Sequence, residues 1–134
     1  MSSLTADDYQ GLAEFRYLLR KFLRFSKDLL AAKAAINPEQ YEALLAIKAF
    51  PGKSMTISQL SERLQVKHHS AINIVDRLVD RKLIRRTPGE QDRRERHLEL
   101  TAKGEDLIEN LAALHHAELR GRSGEMVKAL QRLR

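Results

Sequence analysis

Ala71, Ile74, Val75, Leu78 and Val79 recur at i, i+3, i+4, i+7 and i+8, which lines one face of a helix running from about His68 to Arg81. Directly after it the period changes. Leu83 to Thr87 reads as a strand, and a turn follows at Pro88-Gly89. From His97 to Thr101 the residues alternate, with Leu98 and Leu100 on one face and His97, Glu99 and Thr101 on the other. Upstream, Met55 to Ile57 is a short extended piece, and Ser58 is expected to cap a brief helix carrying Leu60 and Leu64. A turn at Gln65-Val66-Lys67 joins the two helices, which is the helix-turn-helix arrangement. With a hairpin on a long charged tip behind it, the expected fold is mainly α with a small β-hairpin wing, a winged helix-turn-helix.

This unit, residues 37–101, is flanked by long helical segments. The first helix is expected from about Thr5 to Ala34, with Tyr9, Leu12, Phe15, Leu19, Phe22, Leu23, Leu29 and Leu30 mostly at three- and four-residue spacing. Leu18 and Phe25 widen that stripe beyond what one face of a small domain buries, so a partner subunit is expected to cover part of it. Residues 1–36 and 102–134 are therefore assigned to dimerisation, within one intertwined domain. Asn37 as N-cap, Pro38 at the first helical position and Gln40 at the reciprocal capping position start a second helix. Its core face is Tyr41, Leu44, Leu45 and Ile47, and it stops near Phe50-Pro51-Gly52. Thr101 caps a last helix that buries Leu107, Ile108, Leu111 and Leu114 and runs to about Arg120. Gly121 to Gly124 is expected to break it before a short final helix, Glu125 to Leu133.

Composition narrows the function. The chain has no cysteine, which excludes disulfides and thiolate metal sites. No apolar run approaches the roughly 20 residues that span a bilayer. Met1 to Asp8 lacks the pattern of a secretion signal, so a cytoplasmic protein without membrane contact is expected. The net charge is +6, and its placement is informative. Val66 to His97 holds nine Lys/Arg against five Asp/Glu, whereas Leu98 to His116 holds one Lys against four acids. Positive charge gathers on the helix-turn-helix and hairpin, as a phosphate footprint requires. A second basic run, Arg120 to Arg134, reads as a solvated helix end.

A helix in the major groove reads bases with the face turned from its own core. Opposite Ala71, Ile74 and Leu78 lie His69, Asn73, Asp76 and Asp80, flanked by Ser70 and Arg77. The N-terminal half supplies most contacts, which makes His69, Ser70 and Asn73 the candidate base readers. Lys67 and His68 stand at the helix start, where free N–H groups favour a phosphate. The hairpin tip, Glu90-Gln91-Asp92-Arg93-Arg94-Glu95-Arg96, offers Arg93, Arg94 and Arg96 to a narrow minor groove. Asp92 stands two residues before Arg94, placed to orient its guanidinium.

These residues resemble the MarR family of bacterial transcriptional regulators. The likeness is carried by Asp76-Arg77-Leu78, Leu83-Ile84-Arg85-Arg86, Asp92-Arg93-Arg94 and Leu98-Glu99-Leu100-Thr101-Ala102-Lys103-Gly104, in that order and spacing, and covers about Asn37 to Leu114. It implies a triangular homodimer held by the terminal helices, Arg94 in the minor groove with Asp92 as its partner, and a ligand-responsive repressor on a pseudo-palindromic DNA site. It also implies a small-molecule effector, often an aromatic or phenolic acid, which nothing in this sequence names. One departure stands out: Lys82 occupies the position before the hairpin where the family usually has Gly, and where a left-handed turn ends the helix.

Other readings rank lower. His68-His69 and His115-His116 are adjacent pairs without the i, i+4 spacing of helical metal ligands, so they are read as ordinary surface histidines. His115 with Glu118 is the alternative for a metal-responsive regulator of the same fold. No nucleophile elbow, dinucleotide fingerprint or P-loop is present, so neither an enzyme nor a cofactor is expected. A winged-helix module used for protein contact would favour acids at the wing, and an architectural protein would bind all duplexes alike.

Overall fold

Four of the helices, all but the one that starts at His68, begin with a side-chain cap written into the sequence. In the computed structural model, which describes residues 3–133, helix α1 spans Ala6–Ala34. Thr5 caps it: its Oγ1 accepts from the Asp8 N–H at 3.1 Å, and the Asp8 carboxylate accepts from the Thr5 N–H at 2.9 Å. Met1, Ser2 and Arg134, which belong to the expected terminal segments, lie outside the described residues. Helix α2, Pro38–Ala49, repeats the device with Asn37 and Gln40, as its sequence predicts. Strand β1, Met55–Thr56, leads into α3, Ile57–Leu64, a turn and α4, His68–Asp80. Strands β2, Ile84–Pro88, and β3, Arg96–Leu100, form the hairpin, and α5, Ala102–Gln131, closes the chain.

The sheet is antiparallel with the order β1-β3-β2. Met55 pairs with Leu98 from one side while Arg86 pairs with it from the other, so Leu98 sits in the middle strand and is buried. The core gathers Leu44 and Ile47 of α2, Leu60 of α3, Ala71, Val75 and Leu78 of α4, Leu83, Ile84 and Leu98 of the hairpin, and Ile108 and Leu111 of α5. The helical stripe of α4 thus packs on α2, α3 and β2. Helices α1 and α5 lie against one another in the most extensive packing of two helices in the chain.

Several expectations need correction. Thr56, not Ser58, caps α3, because Thr56-Ile57-Ser58-Gln59 is a capping box: Oγ1 accepts from the Gln59 N–H at 3.1 Å and Gln59 Oε1 from the Thr56 N–H at 2.9 Å. Both hairpin strands sit one residue off their expected bounds, since Leu83 closes the turn after α4 and Thr101 is committed to capping α5. Helix α5 does not break at Gly121–Gly124. A helical Gly costs about 1 kcal/mol relative to Ala, too little to end a helix packed along α1, and Arg122 bonds Glu118 one turn back across Gly121. Leu45 and Leu114 are exposed rather than core, as are Tyr9, Leu12 and Leu23 of the α1 stripe.

His115 is the largest surprise. It is buried, at 4% exposure, where α1, α2 and α5 meet. Its ring stacks on Tyr41 at 4.2 Å between centroids and meets Phe22 and Phe25 edge-on. Nδ1–H donates to the Leu111 carbonyl at 2.7 Å, which leaves Nε2 to accept from the Ser26 hydroxyl at 2.8 Å. Burial pushes the Tyr41 phenol up from its ordinary value. With both ring nitrogens engaged and Glu118 bonded to Arg122, the pair weighed as metal ligands is otherwise occupied.

Candidate nucleic-acid interface

The two turns that frame α4 expose one of its faces. Before it, Gln65 turns left-handed at φ 56, and Ser61 Oγ donates to the Val66 carbonyl at 2.7 Å. Lys67 is the N-cap and makes no side-chain cap, so the first N–H groups of α4 have no side-chain acceptor from that residue. After it, Lys82 turns left-handed at φ 61, its N–H donating to Val79 at 2.8 Å and that of Leu83 to Leu78 at 3.0 Å. This is the left-handed helix end expected at that position, built on lysine.

With Ala71, Ile74, Val75 and Leu78 buried, the opposite face carries His69, Asn73 and Asp80 in the open and Asp76 half-buried. Lys67, His68 and Arg77 are exposed beside them, and Ser70 is half-buried. Of the six expected positions, His69 and Asn73 share the face opposite the core, Ser70 and Arg77 flank it, and Lys67 and His68 stand exposed at the start of the helix. Arg86 of β2 bonds the Asp76 carboxylate, so this acid is held by a cation of the wing. Arg86 was not singled out from the sequence, although its place in Leu83-Ile84-Arg85-Arg86 marks it.

The hairpin projects from the same lobe. Asp92 Oδ1 accepts from the Arg94 backbone N–H at 3.0 Å, and Arg94 Nε lies 3.4 Å from the same oxygen. The Arg94 side chain is 94% exposed, so its far end is free to enter a groove. Arg96 Nη1 donates to the Arg93 carbonyl at 2.7 Å, which ties the two sides of the tip. The tip closes on Gly89, whose N–H donates to Glu95 at 3.1 Å; a Cβ there would stand 2.4 Å from the Asp92 carbonyl. At its base Ser54 Oγ and His97 Nδ1 are 2.7 Å apart, and Lys53 binds Glu90 at 2.6 Å, holding that carboxyl below its usual range. Neither Lys53 nor His97 was foreseen, because both contacts join residues far apart in sequence.

The ensemble is a winged helix-turn-helix lobe: an exposed polar face on the second helix of the motif, beside a cationic hairpin. The MarR family pattern matches residues 36–95 of this chain. The HTH-type transcriptional repressor MdtR of Bacillus subtilis (strain 168) is 33% identical over 81 residues, covering 60% of this chain and 51% of that protein. The match thus spans about half the length of this curated relative. Among solved structures, the YusO protein of Bacillus subtilis aligns at 27% identity and TM-score 0.68, covering 96% of this chain and 94% of that one. FabT of Streptococcus pneumoniae, solved in complex with DNA, aligns at 27% identity and TM-score 0.72, covering 85% and 80%. The resemblance read from the sequence is borne out: this chain is similar to the MarR family over residues 36–95 and to winged-helix regulators of that kind in fold. Among the described residues, no helix is long and apolar enough to cross a membrane.

Proposed function

We propose that this protein is a homodimeric, sequence-specific regulator that binds double-stranded DNA, in the manner of a ligand-responsive repressor. The observation that supports it most is the pairing of the exposed α4 face with the Asp92–Arg94 wing on one lobe. In this reading Lys67 and His68 take a phosphate at the start of α4, while His69, Ser70 and Asn73 read base edges and Arg77 flanks them. Arg94 enters the minor groove with Asp92 fixing its base, and Arg93 and Arg96 add positive charge around it. The activity is binding, in the cytoplasm, with no catalytic step.

The second subunit follows from exposed apolar area. Where the start of α1 meets the end of α5, Leu4, Tyr9, Leu12, Val127 and Leu130 all stay exposed in a single chain. Two copies related by a two-fold axis would cover that surface and present two α4 helices to successive major grooves roughly 34 Å apart. Residues 1–36 and 102–134 then serve dimerisation and residues 37–101 serve reading. A small-molecule effector would act by favouring one spacing of the two lobes.

Selection of bound duplexes from a random pool, at a stated salt concentration, tests this reading. A two-fold symmetric motif with half-sites about one helical turn apart is expected. Salt-sensitive binding without an enriched motif would move the function to an architectural role, and no binding would point to a protein partner.

A further inference from the structure

One residue at the end of α4 grips both long helices. Arg81 Nη1 donates to the Ala35 carbonyl at 3.0 Å and Nη2 to the Ala34 carbonyl at 2.9 Å. These are the last carbonyls of α1, where the chain turns left-handed at Ala35 with φ 52 and where a cation is favoured by the helix dipole. The Arg81 carbonyl in turn accepts from Lys103 Nζ, in the first turn of α5, at 3.1 Å. The next residues continue the seam. Thr101 Oγ1 donates to the Lys82 carbonyl at 2.7 Å, and the Thr101 N–H to the Leu83 carbonyl at 3.0 Å. Gly104 is packed so closely that a Cβ would stand 2.0 Å from the Leu83 carbonyl.

The chain passes between the paired long helices and the winged lobe at two places, Ala35–Asn37 and Thr101. Arg81 is bonded beside both. A rotation of the lobe at these crossings drags the end of α4 against Ala34 and Ala35 on one side and Lys103 on the other. It must therefore break a two-pronged, charge-assisted contact. The planar guanidinium can span two carbonyls at once, where an ammonium would act as a single point.

We propose that Arg81 is a positioning residue for DNA recognition: it fixes the angle between α4 and the long helices, and so sets the half-site spacing that the dimer accepts. This rests on the reading above, of a dimer on two half-sites. The absence of cysteine makes the test direct. Spin labels on Arg20→Cys of α1 and Glu62→Cys of α3, both exposed, report the distance from long helix to lobe within one subunit when labelled chains are diluted into unlabelled ones. The distance distribution of the full chain without DNA is expected to be narrow, broad in Arg81→Ala and intermediate in Arg81→Lys. On duplexes carrying the selected half-sites, adding one base pair at the centre turns one site by roughly a tenth of a helical turn. That insertion should weaken binding of the parent about tenfold and of Arg81→Ala about threefold or less, with the penalty for a wrong base inside a half-site unchanged. Unchanged distances in both variants overturn the proposal, and so does an unchanged spacing penalty. If the parent binds no duplex, the proposal falls with the reading it rests on, and that case is recognised by distances that still broaden.

Discussion

Arg86 on β2 holds the carboxylate of Asp76 on α4, joining the wing to the exposed face of the helix beside it. The pair has a consequence for a polyanionic ligand. An acid on that face repels phosphates unless a cation neutralises it, so Arg86→Ala removes one positive charge and also unmasks a negative one. The side chains are 36% and 48% exposed, so the pair itself adds only about 0–1 kcal/mol to folding stability. The expected result is a loss of duplex affinity of about tenfold in Arg86→Ala, with half or more recovered in Arg86→Ala/Asp76→Ala. Titration of both variants against one duplex checks it. Equal losses in the single and double variants would show that Asp76 carries no charge penalty.

Arg94 is held at its base by Asp92 and open at its tip, the arrangement on which the proposed groove contact rests. Arg94→Ala should leave the circular dichroism spectrum and melting temperature unchanged while weakening binding about tenfold or more. The slope of log affinity against log salt should fall by about one if the contact releases a counterion. Asp92→Ala should weaken binding less, because it frees the arginine without removing it. Unchanged affinity and slope in Arg94→Ala would sink the wing assignment.

Asn73 stands in the middle of the exposed face of α4, where a carboxamide can pair with a base edge. Asn73→Ala should relax preference at one base position in each half-site and cost about 1–3 kcal/mol on the preferred base. A uniform loss across all sequences would make it a backbone contact instead. Competition between single-base variants of the selected duplex separates the two.

His115 shows how the sequence could mislead. Read beside His116, it looked like half of a surface pair, yet the helix turns about 100° per residue and sends one of the two inward. Its partners Ser26, Tyr41, Phe22 and Phe25 lie on two other helices, so no local pattern announces the cage. His115→Ala should cost about 3 kcal/mol, from lost ring packing and an unpaired Ser26 hydroxyl. His115→Phe should cost less, since it keeps the stack on Tyr41. Urea unfolding measures both; a cost below about 1 kcal/mol for the alanine variant would show that the cage collapses around the gap.

The parts of the fold that follow from local chemistry were legible. Asn37-Pro38 starts a helix because its cap and its fixed φ need nothing from the rest of the chain. The α4 stripe declares its own buried side, and with it the polar face opposite. The charges of the wing were visible as a cluster, and Asp92 and Arg94 meet because they are two residues apart. What stayed hidden depends on distant residues. The glycines of α5 stay helical because of α1, β1 is a strand because β3 lies beside it, and Arg81 reaches carbonyls nearly fifty positions upstream. The capping box of α3 was missed for another reason: Ser58 offered an equally plausible cap, and only Gln59 three residues after Thr56 decides between them.

Lys82 pays a conformational cost that glycine would not. It is held at φ 61, in the left-handed region where an L side chain costs about 1–2 kcal/mol, and the turn it makes lets Leu83 enter the core. Lys82→Gly should therefore stabilise the fold, by less than that figure because glycine also gains freedom in the unfolded chain; a net gain of about 0.5–1 kcal/mol is expected. Lys82→Ala is the control, since it removes the same charge and keeps the strained backbone. The glycine variant should exceed the alanine variant by about 1 kcal/mol, seen as a melting temperature several degrees higher for a chain of this size. Equal melting temperatures would mean that the turn relaxes around alanine. Because both variants lose one cation near α4, an equal fall in duplex affinity would assign that loss to charge, and a larger fall for glycine would show that a stiff turn at Lys82 helps to aim the helix.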